Sequence, residues 1–176
     1  TKEKALILNK LSNTHKSTLP LEKSVEWFKD RSKGLHLYHN EIIGVGLDRT
    51  ENGINFVSLF DLKRGIELLN KSNTSIFKLI LSSKKDSIRL NNESSWKATK
   101  IQWDTNDELS LLTLNFKDPK DPRLKGLSVF CEVEFNNNMT HWTLDTRRPD
   151  KGLSLWESVF PSIKAGPIGE IPEDNV

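Results

Sequence analysis

The chain has 176 residues, 35% of them hydrophobic and 28% charged, with a formal net charge of +2. That length suits one domain, and five Trp and eight Phe supply large buried surfaces despite the sparse apolar content. No stretch approaches the roughly 20 apolar residues of a membrane span, and the apolar run after Thr1-Lys-Glu-Lys is too short and interrupted for a signal peptide.

Ala5–Leu11 reads as a first strand, followed by a wholly polar loop, Ser12–Thr18. Pro20 suits the first turn of a helix. In that helix Leu21, Val25 and Phe28 share a face, Glu22 and Glu26 sit near the positive N-terminal end, and Gly34 ends the element. Leu35–Val45 reads as a strand pair and Asn52-Gly53 as a turn. Asp61 is placed to cap a short helix carrying Leu62, Ile66 and Leu69 inward, weakened by Gly65.

From Ser75 the pattern is β. Ile76–Leu81 is an apolar strand, and Ser87–Leu90 follows the turn Lys84-Lys85-Asp86. Lys97–Trp103 alternates, with Thr99, Ile101 and Trp103 on one face and Ala98, Lys100 and Gln102 on the other. Leu109–Phe116 comes next, then Asp118–Gly126, whose two prolines exclude a central strand. Leu127–Phe135 directs Val129, Cys131, Val133 and Phe135 inward and Glu132 and Glu134 outward. Asn136–Asn138 turns the chain into Thr140–Leu144. A short helix is predicted near Leu153–Phe160, before a Pro/Gly-rich end that reads as a linker. These elements describe an α+β, mainly β domain built on a closed or nearly closed antiparallel barrel. Cys131 is the only cysteine, so a reducing, cytoplasmic setting and an inert core thiol are expected.

Charge is unevenly spread. Residues 1–33 hold eight Lys/Arg against four acids, and residues 84–102 hold five against two. Residues 34–83 balance at five each, and residues 103–176 carry eight against thirteen. Two basic blocks and an acidic C-terminal part suit a protein that holds phosphates on one face. Signs of catalysis are weak. No Gly-rich phosphate loop, Gly-x-Ser-x-Gly or Cys/His zinc spacing is present. His36 and His39 stand three apart beside Glu41, and a strand would put them on opposite faces. His141 with Asp145 is a pairing that almost any chain offers. Asp61-Leu-Lys63 has the spacing of a Mg²⁺ nuclease site, but no preceding acid on a paired strand accompanies it. Pro149-Asp150 lies downstream, in the wrong order. The expectation is a binding domain, not an enzyme by itself, needing no metal or other cofactor.

Ile7-Leu-Asn-Lys-Leu-Ser12, the polar loop, Leu19-Pro20 and Ser24-Val-Glu-Trp-Phe28 resemble the opening of the plant "B-three" DNA-binding domain. They equally resemble its bacterial relative, the N-terminal effector domain of EcoRII-type restriction endonucleases. Ile76–Ser83, Lys100-Ile-Gln-Trp103, Glu108–Phe116, Leu127–Cys131 and Phe160–Gly169 are similar to successive family segments, in order. Residues 34–74 have no good counterpart and read as an insertion or a drifted region.

The resemblance implies an open, seven-stranded antiparallel pseudobarrel with two or three short helices over residues 1–165, and a linker at 166–176. It implies monomeric, sequence-specific binding of double-stranded DNA at CC(A/T)GG-like sites, with Mg²⁺ confined to a separate nuclease domain. Two arms would grip the major groove. The N-arm would be Lys10, Ser12, Asn13, Thr14, His15, Lys16 and Ser17. The C-arm would hold Arg89, Asn91, Asn92, Glu93, Ser94, Ser95, Trp96, Lys97 and Lys100, with Lys84 and Lys85 on phosphates. Arg and Lys can read guanine, Asn adenine and Glu cytosine, which is what base reading requires. The family's closely spaced Arg/Glu/Arg set is not reproduced here, and Arg49, Glu51 and Asn52 form the one comparable alternative. Two other readings remain. One is a β-barrel or β-sandwich module for carbohydrate or protein, with exposed Trp as a platform. The other is a compact nuclease using Asp61 and Lys63.

Overall fold

The computed structural model describes residues 21–31, 34–69, 75–83, 86–106, 109–136, 139–147 and 152–163. The expected strand Ala5–Leu11, the N-arm, Lys84, Lys85 and the end of the chain from residue 164 lie outside these. The helix expected after Pro20 is α1, Leu21–Arg31, with Glu22 in its first turn. It buries Ser24 and Phe28, with Val25 packed beside them. No described helix is long and apolar enough to cross a membrane.

The described strands are β1 (His36–His39), β2 (Ile43–Arg49), β3 (Ile54–Asp61), β4 (Ile66–Glu67), β5 (Lys78–Ser82) and β6 (Ser87–Asn91). They continue as β7 (Trp96–Thr105), β8 (Ser110–Pro119), β9 (Ser128–Phe135), β10 (Thr140–Arg147) and β11 (Ser154–Val159). All pair antiparallel, in three sheets ordered β1-β2-β3-β4, β10-β9-β8-β7 and β11-β5-β6. The domain is mainly β, and no closed barrel forms among the described strands.

The first sheet is covered on both faces, which is why β2 and β3 read as near-continuous apolar runs. On one face Phe28 stacks on Phe60 at 5.5 Å between ring centroids. A Cβ at Gly44 would lie 2.7 Å from the Phe28 ring, so only glycine lets α1 settle so close. On the other face Val45, Leu47, Ile54, Phe56 and Leu59 enter a core shared by all three sheets. Leu79, Leu81, Ile88 and Leu90 come to it from the third sheet, and Leu112, Leu114, Phe116, Val129, Cys131, Val133 and Phe135 from the second. The alternation expected for β7 and β9 is present: Thr99, Ile101 and Trp103 are half-buried, and the four inward residues of β9 are fully buried.

Two elements differ from expectation. Asp61 caps no helix but ends β3, where its carboxylate accepts the Arg64 N–H at 2.9 Å and pairs with the guanidinium at 3.1 Å. Gly65, at φ 68°, then reverses the chain into β4. The Glu67 carboxylate holds that return by accepting from Ser58 Oγ, Leu59 N and Leu69 N at 2.5, 2.8 and 3.0 Å. The predicted helix at Leu153–Phe160 is instead β11. A register shift between Leu155 and Glu157 inserts Trp156 as a bulge, which breaks the period of two and imitates helical spacing.

Cys131 is fully buried, and burial pushes its thiol above the ordinary range. A folded pKa above the unfolded one gives stability that is complete below the unfolded value, about 8.5, and is lost as pH rises. Urea unfolding at pH 8 and pH 10 should show this loss, at most about 1.4 kcal/mol per pH unit. Cys131→Ala should flatten the slope, and an identical slope in the variant would rule out the thiol as its source.

Candidate ligand-binding surfaces

The segment proposed as a DNA-reading arm is a tight turn between β6 and β7, and much of it is engaged internally. Asn91 Oδ1 accepts from Glu93 N at 2.9 Å and from Ser94 Oγ at 3.0 Å, while Asn91 N donates to Ser94 Oγ at 2.9 Å. Asn92 is 0% exposed. Its Nδ2 donates to Ile54 O at 2.6 Å and its Oδ1 accepts from Ile76 N at 2.8 Å. Trp96, 2% exposed, packs against Phe77 and Phe116 and donates Nε1–H to Asn91 O at 2.9 Å. Asn92 and Trp96 are therefore core residues, unable to touch a base, and Asn91 and Ser94 shape the turn. Arg89, Glu93, Ser95, Lys97 and Lys100 stay exposed, with Arg89 in the third sheet and Lys97 and Lys100 in the second. Lys100 Nζ donates to Gln102 Oε1 at 2.9 Å.

The alternative set at Arg49–Asn52 adjoins this turn. Trp96 N donates to Asn52 O at 2.9 Å and Ile54 N to Asn92 O at 3.2 Å. Arg49 Nη2 reaches Thr99 O at 3.1 Å. From the β8–β9 connection, Lys120 donates its backbone N–H to Ser95 O at 2.8 Å and Nζ to Asn52 Oδ1 at 3.4 Å. Both candidate segments thus form one junction, with Arg49, Lys97 and Lys120 exposed around it. Arg123 nearby is bound by Asp121 at 2.6 Å and by Asp86, and its guanidinium holds the Asp121 carboxyl below the usual range.

Other candidates stay apart. His36 and His39 lie on opposite faces of β1. Asp61 is buried and serves its turn, whereas Lys63 is exposed. His141 and Asp145 share one face of β10 but stand four residues apart, about 13 Å along a strand. His141 Nδ1 instead lies 4.0 Å from Glu134.

The sequence reading missed the outer face of the β7–β10 sheet. Register aligns Lys100, Asn115, Phe130 and Asp145 in one row, and Gln102, Thr113, Glu132 and Thr143 in the next. Across β9 and β10, Phe130, Glu132, Thr143, Asp145 and Arg147 surround a depression of about 280 Å³. Phe130 supplies an apolar wall. Two carboxylates, one guanidinium and one hydroxyl supply acceptors and donors around it. One carboxylate oxygen of Asp145 accepts from Thr146 N at 2.8 Å, which steadies the side chain on the rim. In the same row, Asn115 Oδ1 is buried with no hydrogen-bond partner among the described residues. One sequence signal did exist. Phe130 is an aromatic at an outward position of a strand whose inward positions are already apolar.

No protein-family model matches the chain, and no curated protein matches it either.

Proposed function

We propose that this domain binds neutral carbohydrate on the outer face of the β7–β10 sheet. The observation that carries the reading is the gathering of Phe130, Glu132, Thr143, Asp145 and Arg147 around one depression. The two carboxylates of Glu132 and Asp145 outnumber the one guanidinium of Arg147, which disfavours an anionic ligand. A neutral, hydroxyl-rich ligand can donate to the carboxylates and accept from the guanidinium at once. The C–H face of a sugar ring can lie on the Phe130 side chain. At ~0.3 kcal/mol per non-hydrogen atom, one hexose would gain about 4 kcal/mol, which is a Kd on the order of 1 mM.

Native gels containing galactomannan, hydroxyethylcellulose or soluble starch detect binding of this strength. At least one polymer should retard the domain. Glu132→Gln with Asp145→Asn should weaken that retardation about tenfold or more, since hydrogen bonds to charged groups contribute about 1.5–3 kcal/mol. Unaltered migration of the wild-type protein in all three gels would sink this reading.

The exposed cations Arg49, Lys97 and Lys120 around the joined hairpin tips favour a second reading, duplex DNA. Here the domain would be the recognition part of a restriction endonuclease of the kind it resembles, with the finer order of a seven-stranded pseudobarrel. Mobility shifts with CC(A/T)GG and random duplexes separate the two readings. If about 4–6 phosphates are neutralised, log affinity should fall against log salt with a slope of roughly −4 to −5. Carbohydrate binding should be nearly indifferent to salt.

A further inference from the structure

The depression is lined from β9 and β10 alone, and the strand register carries the same outer face on to β8 and β7. Asn115 of β8 stands directly opposite Phe130, and Thr113 opposite Glu132. One strand farther, Lys100 of β7 stands opposite Asn115, and Gln102 opposite Thr113. Opposed residues in an antiparallel pair have Cβ atoms about 4.5–5.5 Å apart, so each is the immediate neighbour of the next. Thr113 and Asn115 are short and half-buried, with longer side chains on both sides. The middle of the sheet is thus a low polar floor, walled by Phe130 and Glu132 on β9 and by Lys100 and Gln102 on β7. It ends at Leu111, the next outward residue of β8, which offers a hydroxyl nothing to bond.

The β7 wall is set before any ligand arrives. Lys100 Nζ donates to Gln102 Oε1 at 2.9 Å, and Gln102 Nε2 donates to Asp104 Oδ2 at 2.8 Å. An ammonium can only donate and a carboxylate only accept, so the Gln102 amide is held one way round. It keeps one N–H and one lone pair for a ligand, and Lys100 keeps further N–H donors. On the floor, Asn115 Oδ1 is buried with no hydrogen-bond partner among the described residues. Such a group in a native fold asks for a reason, and the soft χ2 of asparagine lets the amide turn that oxygen toward an arriving hydroxyl.

We propose that Lys100, Gln102, Thr113 and Asn115 form a second sugar subsite, so that the domain takes an oligosaccharide laid across the strands from β10 to β7. The proposal rests on the carbohydrate reading above. Three strand spacings cover about 14 Å, more than one pyranose ring and enough for a short chain of them. Lys100 and Asp145 stand at the two ends of one row, so its charge balances and suits a neutral chain.

The test compares a monosaccharide with its own linear hexasaccharide, taken from whichever of the three polymers retards the domain. Gln102→Ala with Asn115→Ala should weaken hexasaccharide binding about tenfold, the worth of one or two net hydrogen bonds, and leave monosaccharide binding within about twofold. Phe130→Ala should weaken both, and His141→Ala, in the Leu111 row, neither. In NMR spectra of the wild-type protein, the hexasaccharide but not the monosaccharide should move the side-chain amide signals of Gln102 and Asn115. The double variant should melt with the wild type, because Gln102 is exposed and Asn115 Oδ1 has no partner to lose. Equal losses on both sugars, no loss on either, or unmoved amide signals would overturn the second subsite and leave the Phe130 site standing. No binding of any polymer by the wild-type protein would overturn both.

Discussion

Trp96→Ala is expected to destabilise the domain by about 3–5 kcal/mol, the range for emptying a buried aromatic site. The indole lies among Phe77 and Phe116, with ring centroids 6.1 and 5.4 Å away, and Phe77 and Phe116 contact each other at 5.1 Å. Removing the largest ring of this trio leaves a cavity that the other two cannot close, because each is already held by the sheets that carry it. The lost Nε1–H bond matters less, since Asn91 O also accepts from Ser94 N at 3.2 Å. Urea unfolding followed by circular dichroism measures the change. A loss below about 1 kcal/mol would be too small for a buried indole and would show that the side chain is exposed in solution.

Asn92→Ala is expected to cost about 2–4 kcal/mol by a different route. Its amide ties β3 to the segment just before β5, donating to Ile54 O and accepting from Ile76 N, and both partners are orphaned when it is removed. Each buried, unpaired backbone group costs about 1–3 kcal/mol. The turn also lacks space to rearrange. A Cβ at Gly53 would lie 2.0 Å from the Asn92 carbonyl oxygen, so the β2–β3 tip and this turn touch backbone to backbone. Asn92→Asp should not rescue stability, because a carboxylate cannot donate to Ile54 O. Were Asn92 a base reader, its loss would change ligand selectivity and leave the unfolding midpoint in place. Thermal melts of the two variants distinguish these outcomes.

Asn92 also shows where sequence reading stops. It sits in Asn91-Asn92-Glu93-Ser94-Ser95, a run as polar as any surface loop. Its burial comes from partners 16 and 38 positions away, which nothing local announces. The strands of the second sheet were legible because each has one buried and one outward face, which prints an alternation into β7 and β9. The return at Leu62–Glu67 was not: leucine and isoleucine at helical spacing were outweighed by three hydrogen bonds to the Glu67 carboxylate. The candidate site was half legible. Phe130 and Glu132 could be placed outward from their own strand, but Thr143, Asp145 and Arg147 join them only through the pairing of β10 with β9.

That pairing divides the labour between two sets of residues. Val129, Cys131, Val133 and Phe135 fix the fold, and Phe130 and Glu132, which alternate with them, line the depression. A slip of one residue would exchange the sets entirely, so packing on the hidden face locks the position of every group on the visible one. Substitutions among Phe130, Glu132, Thr143, Asp145 and Arg147 leave the inward set untouched. The sheet is thus a chassis whose visible face can be rewritten residue by residue while the packing beneath it stays the same.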